Sequence, residues 1–196
     1  MKMQLKGPIQ VALVVGALLL LPSGAASLAQ TGSTTAASEH DGQHDFDFEM
    51  GNWKAHLTKL DHALAGSKNW IQFDGTFSAH KIWNGRANIE EVELNSPTGP
   101  IEGLTVRLYN PQTHQWSIYW ANAKNGFIDP APQIGQFKDG RGEFYGQDTL
   151  NGKLIYVRYV WTKTDTDTPH FEQAYSNDGG KTWEVNWMTD QKRVSP

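Results

Sequence analysis

The chain has 196 residues, no cysteine, and 17 Lys and Arg against 21 Asp and Glu, a formal charge of −4. Its length fits one domain with appendages, and 8 Trp, 6 Tyr and 8 Phe supply ample core material. Mild, dispersed acidity argues against nucleic acid or an anionic membrane surface as partner, and without Cys the fold must stand on packing alone.

Met1 to Ala29 has the build of a secretory signal. Lys2 and Lys6 come first, an apolar core runs from Val11 to Leu21, and Pro22-Ser23-Gly24 leads to small residues with cleavage expected after Ser27-Leu28-Ala29. The apolar run falls short of the ~20 residues that a bilayer span requires, and no Cys follows it to carry a lipid anchor. A periplasmic or secreted product with no membrane span after signal removal is therefore expected. Loss of Lys2 and Lys6 would leave 15 basic against 21 acidic residues, a formal charge of −6. Residues 30–43 hold almost nothing to bury and read as a disordered linker.

Order is expected from His44, and 44–193 forms the domain, followed by a tail at 194–196. His44 to Trp53 reads as a short closing turn leading into a first strand: Phe46, Phe48 and Met50 give an apolar side, and Gly51 permits a sharp bend. Beyond it, runs rich in Val, Ile, Tyr, Trp and Thr alternate with turn signals about every 8 to 12 residues, the spacing of antiparallel strands. Strands are predicted at Trp53–Leu60, Trp70–Ile82, Arg86–Leu94, Gly103–Tyr109, Gln115–Asn122, Gln133–Phe137, Gly142–Thr149, Leu154–Thr162, His170–Ser176 and Thr182–Asp190. Asn110-Pro111-Gln112-Thr113, Asn151-Gly152 and Asp178-Gly179-Gly180 carry turn chemistry between them. An all-β fold follows, an up-and-down antiparallel β-barrel of about ten strands. The longest break, Asn125 to Pro132, reads as either a lid or a crossing over the barrel end.

Gly51-Asn52-Trp53 resembles the Gly-x-Trp that opens the first strand of lipocalins and other calycins. His44 to Trp53, Gly103 to Pro111, Trp116 to Trp120, Gly142 to Gly146 and Ser176 to Trp183 together resemble a family of secreted or cytosolic bacterial domains of unknown function assigned to the calycin-like barrels. The resemblance covers nearly all of His44 to Arg193. It implies the fold and a small apolar ligand, and brings no catalytic residues. In lipocalins an Arg near the last strand lies across the opening Trp, and Arg193 is the positional match here.

Eight Trp residues are read mostly as core or barrel-end plugs; Trp116, Ile118 and Trp120 share one strand face, as do Trp183, Val185 and Trp187. Polar residues inside strands are more informative, because a barrel interior accepts them only when paired or facing a wet cavity. Arg107, on the face of Thr105 and Tyr109, and Arg158, on the face of Tyr156 and Val160, form with Glu91 and Tyr side chains a candidate inward cluster gripping a ligand carboxylate or carbonyl. The candidate ligand-binding set is Glu91, Arg107, Tyr109, Tyr119, Trp120, Tyr145, Arg158 and Glu172. The competing reading places these charges on a solvated outer face, and a one-residue slip in register exchanges the two. The seven His show no metal-ligand spacing, so neither a metal nor a cofactor is expected. Ser176 to Trp183 looks like the Asp-box hairpin of sialidase propellers, but a single copy reads as a turn stabiliser. No nucleophile motif or phosphate-cradling loop occurs.

The leading functional expectation is a carrier or sensor for a small hydrophobic or amphipathic molecule. An enzyme on the same scaffold (isomerase, cyclase or hydrolase) and an envelope interaction protein with a filled barrel are the alternatives.

Overall fold

Side chains alternate between the two faces of a strand, so a strand with one apolar row must turn that row toward a core. Trp53, Ala55 and Leu57 are buried while Lys54 and His56 between them are exposed, and the same two-residue rhythm buries Phe73 and Phe77 on the next strand. The computed structural model describes residues 40–195; the expected signal, residues 30–39 of the expected linker, and Pro196 lie outside the described residues.

Ten long strands carry the fold: β1 (Gly51–Leu60), β2 (Trp70–Ile82), β3 (Ala87–Ser96), β4 (Gly99–Asn110), β5 (Gln115–Asn122), β7 (Gln133–Lys138), β8 (Arg141–Leu150), β9 (Lys153–Thr162), β10 (His170–Ser176) and β11 (Glu184–Ser195). A two-residue strand, β6 (Phe127–Ile128), pairs only with β5. Each long strand pairs antiparallel with its neighbours in sequence, and β11 returns to β1 with Ala55 opposite Gln191, so the meander closes into a barrel without free long edges. The predicted architecture is thus observed, with strand ends within a few residues of expectation. Among the described residues no helix is long and apolar enough to cross a membrane.

The barrel is sealed at one end by the 3-10 turn Asp47–Glu49, which drops Phe46 and Glu49 into the interior. Phe46 meets Trp116, Phe137, Phe144 and Trp161 at ring-centroid distances of 5.0 to 5.5 Å, mostly edge to face. Gly51 makes the bend out of this plug at a φ of +107°, which a side chain would resist. The described chain already packs ahead of His44: the Gly42 carbonyl accepts the Trp116 indole N–H at 2.9 Å, and the Asp41 carbonyl accepts the Tyr109 hydroxyl. Indole and phenol groups at the barrel end need acceptors once buried, and this backbone supplies them.

Arg193 fastens the plug. Its guanidinium lies 3.9 Å from the centre of the Trp53 ring, donates to the carbonyls of Met50 (2.6 Å) and Phe48 (2.7 Å), and pairs with Asp167 at 3.0 Å. Trp53 in turn donates its indole N–H to the Glu49 carbonyl at 2.7 Å. The carbonyls left open by a three-residue turn are thereby satisfied by one planar cation and one indole.

At the opposite end Asn125 to Pro132 leads from β5 to β7 across the barrel mouth, tied to β5 by the Asp129 amide donating to the Trp120 carbonyl at 2.8 Å. The hairpin at Ser176 to Trp183 holds itself as its sequence implies: the Asp178 carboxylate accepts from Ser176, Lys181 and Thr182, and Gly180 donates to the Ser176 hydroxyl. The expectation that Trp183 and Trp187 share a face is corrected. Trp183 precedes β11, and the pairing shifts so that Gln173 faces Trp187 while Ala174 faces Val185, a bulge that puts an extra residue between them.

Because two charge-assisted hydrogen bonds and a cation–π contact are at stake, Arg193→Ala should destabilise the protein by on the order of 3 kcal/mol in urea denaturation. Arg193→Lys should recover little of it, since an ammonium lacks the planar fork that spans both carbonyls. A loss within error of zero would show that the plug is held by its aromatic contacts alone.

Candidate functional site

The barrel is only partly filled. Between the plug and the open end lies a cavity of about 910 Å³, large enough for an organic ligand of several rings. Its middle is apolar, with Leu57, Phe77, Val92, Leu94, Ile118 and Val157 in the wall and Trp120 and Trp187 higher up. Strand β4 keeps Gly103 beside Trp120 because a Cβ there would sit 1.9 Å from the indole; the missing side chain lets the ring lie against the backbone.

The floor is polar. Glu49, Glu90 and Arg107 all line the cavity and are buried. Arg107 donates to Glu90 at 2.6 Å and to Asn88 at 3.0 Å, and its guanidinium lies 4.9 Å from the Phe46 ring. One oxygen of Glu49, Oε1, accepts the Trp161 indole N–H at 2.8 Å and the Gln191 amide at 3.4 Å. The other, Oε2, has no hydrogen-bond partner among the described residues, nor has the Gln191 amide oxygen. Burial, followed by the negative charge of Glu90, pushes the Glu49 carboxyl up to about 7 against the opposing pull of Arg107, Trp161 and Gln191. The floor therefore holds an acid that exchanges its proton near neutrality.

Nearer the mouth, Asp129 and Asp148 face the cavity, and burial with the charge of Asp148 raises the Asp129 carboxyl. Tyr159 and Tyr175 stand beside them, with burial pushing the Tyr175 phenol up to about 12 and Tyr159 higher still. Both phenols are neutral at any ordinary pH and serve as hydrogen-bonding groups.

Of the eight candidate residues, Arg107 and Trp120 line the cavity and the other six do not. Tyr109 points inward but is buried beneath the floor against Trp116. Glu91 is exposed on the outer face; its neighbour Glu90 is the inward acid, because β3 follows the inward phase of Val92 and Leu94. Tyr119 sits between the inward-facing Ile118 and Trp120, on the opposite face of β5. Arg158 is outside because β9 turns its more apolar row of Ile155, Val157, Tyr159 and Trp161 inward; its guanidinium lies 4.9 Å from the Trp183 ring. Tyr145 packs on the same Trp183 and donates to Glu143 at 2.8 Å, while Glu172 meets His170 at 3.2 Å. The expected inward cluster of Arg107, Arg158 and Glu91 is thus replaced by Arg107, Glu90 and Glu49. Glu49 and Gln191 escaped sequence reasoning: one sits in an irregular turn and the other in the last strand, where no periodicity marks them as inward.

A raised carboxyl pKa gives the stability a definite pH dependence. Glu49 ionises near 4.5 when unfolded and near 7 when folded, so as pH rises through this window the folded state loses stability relative to the unfolded one, by roughly 3 kcal/mol in full. Glu49→Gln should therefore raise Tm at pH 8, with the gain shrinking toward pH 5. A difference that is flat with pH, or a less stable variant at pH 8, would contradict the buried, unsatisfied carboxylate.

No protein-family model matches the chain, and no curated protein does. Among solved structures it is similar to the S-type phycobiliprotein lyase CPES from Guillardia theta, with a TM-score of 0.55 at 12% identity over 79% of this chain and 93% of that one. What the two share is the fold: this chain is a calycin-like ten-stranded barrel.

Proposed function

We propose that this chain is an exported calycin-like barrel that binds one small hydrophobic or amphipathic molecule inside its cavity, as a carrier or sensor. The observation that carries the reading is the 910 Å³ cavity with an apolar middle and a polar floor, a combination suited to a ligand with an oily body and one polar end. A filled barrel is disfavoured by the same volume. The build of Met1 to Ala29 supports a periplasmic or secreted location. The similar barrel from Guillardia theta is named as a lyase of phycobiliproteins, which supports both a ligand-holding interior and the possibility of chemistry within it.

The second reading, an enzyme on this scaffold, is favoured by one feature: Glu49, which lines the cavity, is a buried acid pushed up to about 7 with one oxygen unpartnered among the described residues. Such a group can both donate and accept a proton at neutral pH.

Native mass spectrometry of protein recovered from its own periplasm or medium separates these readings. A small molecule bound one to one in the native chain, and lost when Val92→Trp fills the cavity, is the expected result. Recovery of that species unchanged after prolonged incubation with native protein supports a carrier, and its conversion by native protein but not by Glu49→Gln supports an enzyme. A chain that carries nothing, or whose cargo survives Val92→Trp, would contradict both.

A further inference from the structure

Resting on the ligand-binding reading, the identity of the ligand's polar end follows from the hydrogen bonds that the floor leaves unmade. Arg107 gives one N–H to Glu90 and one to Asn88, and its charge is already balanced by the Glu90 carboxylate at 2.6 Å, so it offers a ligand carboxylate no net positive charge. Two residues that line the cavity, Glu49 and Gln191, each have an oxygen without a partner among the described residues, Glu49 Oε2 and the Gln191 amide oxygen, and both are acceptors. They are neighbours, since the Gln191 amide nitrogen donates to the other oxygen of the same Glu49 at 3.4 Å. Glu49 is fully buried and Gln191 is 5% exposed, so bulk water reaches neither freely. Arg107 Nε is the one unpartnered donor beside them, and the cation that bears it is already paired with Glu90.

Charge points the same way. Two carboxylates against one guanidinium leave the floor with one negative charge once Glu49 is ionised. Higher in the wall Asp129 and Asp148 add acid, against Lys59 and His62 near the rim. A ligand carboxylate would enter this field against like charge and find acceptors where it needs donors.

We infer that the cavity selects a ligand whose polar end is a nitrogen donor, an amine or ammonium group on an apolar body, seated between the Glu49 carboxylate and the Gln191 amide oxygen. An ammonium carries three N–H donors, enough for both acceptors at once, and its charge balances the floor. Glu49 is surrounded by Glu90 from β3, Arg107 from β4, Trp161 from β9 and Gln191 from β11, and in this group Glu49 Oε2, the Gln191 amide oxygen and Arg107 Nε have no partner among the described residues.

The test is isothermal titration calorimetry of the full chain with decylamine, decan-1-ol and decanoate, which share one tail and differ in the head. At pH 8 decylamine should bind about tenfold or more tightly than decan-1-ol, the order expected of one charge-assisted hydrogen bond, with decanoate weakest. Glu49→Gln should erase the preference for the amine, bringing decylamine to within about twofold of decan-1-ol in the same variant. In the native chain, which needs no variant to fold, amine affinity should rise from pH 5.5 to 8 as Glu49 ionises, and alcohol affinity should stay level. Decanoate binding as well as decylamine, or an amine preference that survives Glu49→Gln, overturns the inference while decan-1-ol binding upholds the ligand-binding reading. Failure of all three to bind overturns both.

Discussion

The structure depends on one joint, the docking of a three-residue turn into the end of the barrel. A barrel of this size has too wide a bore for its own inward side chains to close, so something must enter from outside. Asp47–Glu49 does so, and its backbone carbonyls are what make it costly to bury. Arg193 and the Trp53 indole satisfy them together: the guanidinium binds two carbonyls while lying across the ring, and the ring's own N–H takes the third. Phe46 then seals the layer beneath by meeting four aromatic rings.

The same joint creates the polar floor. Wherever the plug goes Glu49 follows, and its side chain lands in a layer that already contains Glu90 and Arg107. Arg107 cannot compensate both acids, since its single charge is already paired with Glu90 at 2.6 Å. An apolar residue at position 49 would pack there with less penalty. A buried acid that weakens the fold at neutral pH belongs to the kind of local cost that proteins carry at binding or reactive sites. Apolar wall, the indoles of Trp120 and Trp187 above it and an acid floor below give the interior a direction.

Much of the architecture was legible because strand signals are local. Val, Ile, Tyr and Trp runs broken by Asn151-Gly152 or Asn110-Pro111 mark hairpins whatever surrounds them, and a chain of hairpins with one apolar face has few ways to end other than a closed barrel. Trp120 was legible because Trp116, Ile118 and Trp120 make one clear row of β5. Arg107 was legible from its chemistry with its face left open, since the more apolar row of β4, Leu104, Val106 and Leu108, is the one that lies outside the cavity. Glu91 was displaced by Glu90 because β3 carries two competing apolar phases, Ala87 and Ile89 against Val92 and Leu94, and only the pairing with β2 and β4 decides between them. Arg158 and Tyr145 stood among apolar residues for another reason: Trp183, from the turn before β11, packs on both of them outside the barrel, whereas Glu172 is paired with His170. Glu49 lay in plain view in the sequence, yet no periodicity applies to a turn, and its role depends on contacts with β9 and β11, more than a hundred residues away.

The central claim is that the plug delivers Glu49 to the cavity floor as a desolvated acid with one open oxygen. The most direct measurement is the carboxyl carbon resonance of Glu49 in carbon-13 labelled, ligand-free protein, assigned by its disappearance in Glu49→Gln and followed from pH 4 to 9. A titration midpoint at about 7 is the result the account requires. A midpoint near the ordinary 4.5 would mean that the side chain is solvated or paired, and the floor described above would not exist.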